Sequence, residues 1–263
     1  MSKHEDRIKL LANRFVPIVA IFALLAGSAV LSAQVKSVAP YYARLNTFGV
    51  FSAYSGDSSH MLLGSAQNRK LLDFGAYYSH RLLINHIVNW QYNGELLPVA
   101  LESDPVVHIV LNETSPNVQT TVLNDVQVSA CSPALLSYNF DFSNQGTTTT
   151  FSGTEVVTCT RQWTIGEGVS PVGFQWNFLP RHKTQPFLIG HGGYMYSTQP
   201  IPIPNAGSFN FTFDVGAGVE LYRTRTKSIR AEYRFHHISN HNTANENPGI
   251  DNGLYQVTYS FGK

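Results

Sequence analysis

From residue 209 to residue 221 every odd position is apolar and every even one is polar or glycine, with Phe209, Phe211, Phe213, Val215 and Leu221 set against Asn210, Thr212, Asp214 and Glu220. A period of two puts one set of side chains on each face of an extended strand and is incompatible with a helix, whose period is 3.6. The same alternation runs through 72–78, 172–178 and 255–261. Eight such segments are predicted, near 47–54, 70–82, 86–101, 170–178, 186–196, 208–222, 228–239 and 253–262.

Alternation alone fits a soluble sandwich as well as a membrane barrel, so composition has to separate them. Charged residues make up only 13% of the 263-residue chain and aromatics 12%, where a soluble domain carries about 25% charged residues. Disorder is excluded by the aromatics. A net charge of +1 with no clustered Lys/Arg run leaves no footprint for nucleic acid. The aromatic faces match the girdles of transmembrane barrels, and the chain ends on the alternating aromatic strand that closes in Tyr259 and Phe261, similar to the C-terminal signature of bacterial outer-membrane proteins. The expected fold is all-β, an eight-stranded antiparallel transmembrane β-barrel with a long extracellular loop extension. A barrel of eight strands is filled by its own side chains, so function is expected on the loops or the outer wall rather than in a channel.

The chain opens on Lys3, Arg7, Lys9 and Arg14, an apolar run from Phe15 to Ala26, and small residues up to Ala33. This pattern predicts a cleaved signal peptide over 1–33, since the run falls short of the roughly 20 residues a spanning helix needs. Cleavage removes four basic and two acidic residues and takes the mature chain, 34–263, from +1 to −1. Export to an oxidising compartment makes one disulfide between Cys131 and Cys159 the default. Both lie in 102–169, far longer than an ordinary connection, which is expected to form an extended extracellular loop or a cap with strands of its own.

The stretch that carries chemistry begins at Ala231. Along the predicted strand Ala231, Tyr233, Phe235, His237 and Ser239 share one face, while Glu232, Arg234 and His236 share the other. The charged face belongs in the barrel and the aromatic one against lipid, so His237 and Ser239 face outward near the membrane's outer edge. A His beside a Ser can take the hydroxyl proton and turn a weak alcohol into a nucleophile. Asp251 shares the outward parity of the following strand and can orient the imidazole, with Glu246 as a less favoured orienter from the loop. Zinc or nickel at His236, His237 and His241 is disfavoured because adjacent strand residues point to opposite faces, and no metal or organic cofactor is expected. No Gly-x-Ser-x-Gly sequence is present, against an ordinary α/β-hydrolase.

At His237-Ile238-Ser239-Asn240, Asn247-Pro248-Gly249-Ile250 and Asp251 the sequence resembles the lipid A 3-O-deacylases, the PagL-like acyloxyacyl hydrolases of Gram-negative outer membranes. The resemblance implies a carboxylic ester hydrolase that removes the 3-position acyl chain of lipid A. In that reading Ser239 attacks, His237 moves the proton, Asp251 holds the imidazole, and Asn240, Asn247 or Gly249 supplies donors to the oxyanion. Lipopolysaccharide in the outer membrane is then the substrate and partner, with a homodimer left open. The family carboxylate is usually Glu, so with Asp251 either a loop moves in or the third member is weaker. Two rival classes are a non-catalytic barrel whose cap binds a partner, and an outer-membrane phospholipase or acyltransferase using the same Ser and His.

Overall fold

The computed structural model describes residues 41–59, 62–128 and 130–263, and the expected leader at 1–33 lies outside them. The strands in chain order are β1 (Asn46–Ser55), β2 (Lys70–Ile84), β3 (Val88–Ser115), β4 (Gln119–Val122), β5 (Val126–Gln127), β6 (Ala134–Asn144), β7 (Thr147–Phe178), β8 (Thr184–Ser197), β9 (Phe209–Tyr222), β10 (Lys227–Ser239) and β11 (Ile250–Gly262). Eight of them close a ring in the order β3, β2, β1, β11, β10, β9, β8, β7, with β7 pairing back to β3, and each pairing is antiparallel. This is the eight-stranded antiparallel barrel that alternation and composition together predict.

Its burial is inside out relative to a soluble sandwich. Phe48, Val50, Phe74, Leu188, Phe213, Tyr255 and Val257 are exposed on the outer wall, while Asn89, Gln91, Asn93, Glu95, Gln175, Asn177 and Arg234 are buried in the lumen. Only a surrounding apolar solvent stabilises that arrangement, because in water the outer wall would leave its oily faces unburied. The interior charges are paired: Arg234 grips Glu95 through both Nη atoms at 2.9 and 2.7 Å and reaches Glu232 at 3.0 Å and Asp214 at 3.4 Å. Nearer the outer end, Ala53, Ala66, Leu71, Ala100, Ile238, Ile250 and Leu254 form an apolar cluster.

Two strands run well past their expected ends. Pairing of β3 with β7 continues from Val88↔Phe178 to Ser115↔Ser152, with β4 and β5 flanking β3 and β6 flanking β7. The 28 residues of β3 extend roughly 90 Å, three times the ~30 Å hydrocarbon core, so its outer part projects as a blade of sheet. Cys131, which precedes β6, is disulfide-bonded to Cys159 in β7 across a Cα–Cα distance of 5.9 Å. Beyond the hydrocarbon core neither face of the blade has lipid to cover, so the oily alternation fades there and by itself marks strand boundaries at 101 and 170.

Candidate active site

The site sits where β10 ends and β11 begins. Ile238 and Ile250 are opposite one another in the register and buried in the apolar cluster. With those two side chains inward, period two turns their neighbours outward, and His237 falls directly opposite Asp251. The imidazole Nδ1 lies 2.6 Å from Asp251 Oδ1, with the carboxylate fully buried and the histidine partly exposed. A carboxylate can only accept here, so Nδ1 carries a proton, and in the neutral imidazole Nε2 keeps its lone pair.

Ser239 lies two residues further on the same face, but its Oγ donates to Asn247 Oδ1 at 3.0 Å and accepts from the His241 backbone N–H at 3.1 Å. Among the described residues no hydrogen bond joins Ser239 to His237, so the structure brings His237 and Asp251 together and holds the hydroxyl on Asn247. The same Asn247 oxygen accepts from the Asn240 backbone N–H at 3.2 Å. Because a backbone N–H only donates, the amide orientation of Asn247 is fixed, and its Nδ2 has no partner among the described residues.

Asn240 is buried and occupied. Its Nδ2 donates to the carbonyls of Ala206 and Glu246, and its Oδ1 accepts from the Asn242 backbone. Its side chain therefore braces the loop between β10 and β11 against the loop before β9. Gly249 has φ of 62°, a left-handed conformation that favours glycine, and a Cβ there would lie 3.1 Å from His237 Cε1. Glu246 is exposed and accepts from Asn205 at 3.0 Å, away from His237. His236 points into the lumen, 3.9 Å from Asp214, and His241 is exposed with its ring edge-on to Phe211. Among the described residues the group of acid and imidazole side chains close enough to share a metal is Glu95, His191 and Asp214, inside the barrel. The Arg234 guanidinium already contacts Glu95 and Asp214 there.

One contribution has no residue-type signature in the sequence. Asp251 Oδ2 accepts backbone N–H groups from Leu62 at 2.8 Å and Leu63 at 2.7 Å, both in the loop between β1 and β2. Backbone donors that far away in the chain carry no residue identity for a motif to record.

Residues 133–261 match the family model described as lipid A 3-O-deacylase (PagL). Those residues belong to the PagL family. The PagL match takes in β6 to β11 up to residue 261 and every candidate site residue from His237 to Asp251, and with the inside-out barrel it makes the chain a bacterial outer-membrane protein. Similar solved structures include the outer membrane enzyme PagL, 12% identical with a TM-score of 0.44 over 81% of this chain and 99% of that one. Neisserial surface protein A is 13% identical with a TM-score of 0.40 over 83% and 97% of the two chains. OprG from Pseudomonas aeruginosa is 10% identical with a TM-score of 0.36 over 84% and 98%. No curated protein matches the chain in sequence.

Proposed function

We infer that the protein is an outer-membrane esterase that releases the 3-position acyl chain of lipid A through Ser239, His237 and Asp251. The observation that carries this reading is the 2.6 Å contact between His237 Nδ1 and Asp251, on the outward face that also holds Ser239. With Nδ1–H held by the carboxylate, Nε2 is the basic nitrogen, as a general base requires. The proposed step requires the Ser239 hydroxyl to leave Asn247, by rotation about its Cα–Cβ bond, and turn to that nitrogen. Catalytic hydrogen bonds are commonly long or absent until substrate is bound.

Ser239 Oγ then adds to the ester carbonyl while His237 takes its proton. Collapse of the tetrahedral adduct expels the sugar alkoxide, which His237 protonates, leaving an acyl-enzyme that water hydrolyses by the same route. Negative charge on the adduct's oxygen needs fixed donors. Asn247 Nδ2 and the Gly249 backbone N–H are assigned that part, whereas the Asn240 N–H is already spent on Asn247. A site on the outer wall receives a lipid substrate by sideways diffusion within the bilayer.

The test is mass spectrometry of lipid A and phospholipids from cells expressing the chain or its Ser239→Ala variant. Loss of one 3-position acyl chain from lipid A, abolished by Ser239→Ala, is expected. Unchanged lipid A with altered phospholipids would replace the proposal by a phospholipase.

A further inference from the structure

Asp251 is one methylene shorter than the Glu its family pattern expects, yet its carboxylate reaches His237 and is fully buried. A buried carboxylate has to be held by donors, or burial costs more than its contact with the imidazole returns. Those donors come from the β1–β2 loop: the amides of Leu62 and Leu63 point at Oδ2, and the Gly64 amide adds a further hydrogen bond. Successive backbone N–H groups turned to one point form an anion-binding nest, and here the anion is a side chain of the same molecule.

The loop reaches Asp251 because two glycines face each other. A Cβ on Gly64 would lie 2.7 Å from Asp251 N and 2.9 Å from the Ile250 carbonyl carbon, and a Cβ on Gly249 would lie 3.3 Å from the Gly64 Cα. Close approach, rather than backbone conformation, is what requires glycine at 64. On either side the loop is stitched to the start of β11. Ser59 N–H donates to the Asp251 carbonyl at 3.2 Å, Ser65 N–H and Oγ to the Pro248 carbonyl at 2.6 and 2.7 Å, and Ala66 N–H to the Gly249 carbonyl at 3.1 Å. Arg69 anchors the loop's far end by donating to Asp104 at 3.0 Å and to the Pro202 carbonyl at 2.8 Å, which fixes it to β3 and to the loop before β9.

We propose that the 62–64 segment is a positioning element of the reaction, closing by backbone approach the distance that Asp251 lacks in side-chain length. The proposal rests on the reading of His237, Ser239 and Asp251 as the reacting group. It has a consequence that a merely structural loop does not. With the amides in place, the carboxylate has no room to lengthen, so Asp251→Glu lowers kcat. With the loop displaced by Gly64→Val, the side chain must span the gap alone, and Glu is then better than Asp.

The experiment compares Gly64→Val, Asp251→Glu and the double variant, with Ser239→Ala alongside, as folded full-length barrels acting on purified lipopolysaccharide in detergent micelles. Gly64→Val is expected to lower kcat about tenfold to a hundredfold, the scale of a roughly 1 Å misplacement, with KM changed less. The double variant is expected to recover several-fold over Gly64→Val. A wild-type kcat in Gly64→Val, or a double variant no faster than Gly64→Val, overturns the positioning role. If Gly64→Val does not fold, Gly64→Ala makes the same comparison, since its Cβ alone meets the Asp251 backbone. Full activity in Ser239→Ala overturns the underlying reading instead, whatever the loop variants do.

Discussion

At the scale of single residues, Asn247 and Asn240 look interchangeable in the sequence and differ in the structure. Asn247 gives its oxygen to Ser239 and Asn240 and keeps a donor unspent, so Asn247→Ala is expected to cost about 10²–10³ in kcat, as loss of an oxyanion donor does, with little change in KM. Asn240→Ala is expected instead to lower thermal stability, because it strips a donor from the buried Ala206 carbonyl and another from the Glu246 carbonyl; steady-state kinetics and melting of the two variants separate the roles. Asp251→Asn is expected to cut kcat by up to ~10⁴, since the amide cannot steady an imidazolium and favours the wrong tautomer. Near-wild-type turnover in Asp251→Asn would remove the carboxylate from the mechanism. The pairing of His237 with Asp251 was legible from strand parity alone, because inward Ile238 and Ile250 leave their neighbours no other side. The amides of Leu62 and Leu63 were not legible, because they contribute through backbone atoms that every residue but proline possesses.

Among the elements, the strands whose faces meet lipid on one side and the lumen on the other were read to within a few residues. Those that leave the membrane were not: Glu113 and Glu155, in the projecting parts of β3 and β7, interrupt an apolar face that no longer has lipid to cover. More than half of the β3–β7 pairing therefore lies within 102–169, where the sequence predicts a loop or a cap with strands of its own rather than continuations of two barrel strands. The disulfide belongs to this blade. Replacing both Cys131 and Cys159 by Ser is expected to expose 116–146 to limited proteolysis while leaving the barrel resistant, because the ring closes by its own ladder of hydrogen bonds. Cleavage confined to the blade on a folded barrel is the predicted gel pattern, and a barrel that fails to fold without the disulfide would contradict it.

For the whole molecule, the lumen away from the apolar cluster at its outer end works as a core built from charge instead of hydrocarbon. Arg234 sits among Glu95, Glu232 and Asp214, and removing one partner of a buried ionic cluster costs about 3–5 kcal/mol. Arg234→Met is therefore expected to lower the unfolding midpoint in detergent, and adding Glu95→Gln should recover part of the loss. A midpoint unchanged by Arg234→Met would mean the network contributes no stability. An occupied lumen leaves the outer wall and the loops as working surfaces, and His237, Ser239 and Asp251 stand where those meet. The most direct measurement of that account is the mass of lipid A from cells making the wild-type chain and Ser239→Ala. The account predicts lipid A lighter by its 3-position acyl chain with the wild type and full-mass lipid A with Ser239→Ala, and deacylation by both chains would contradict it.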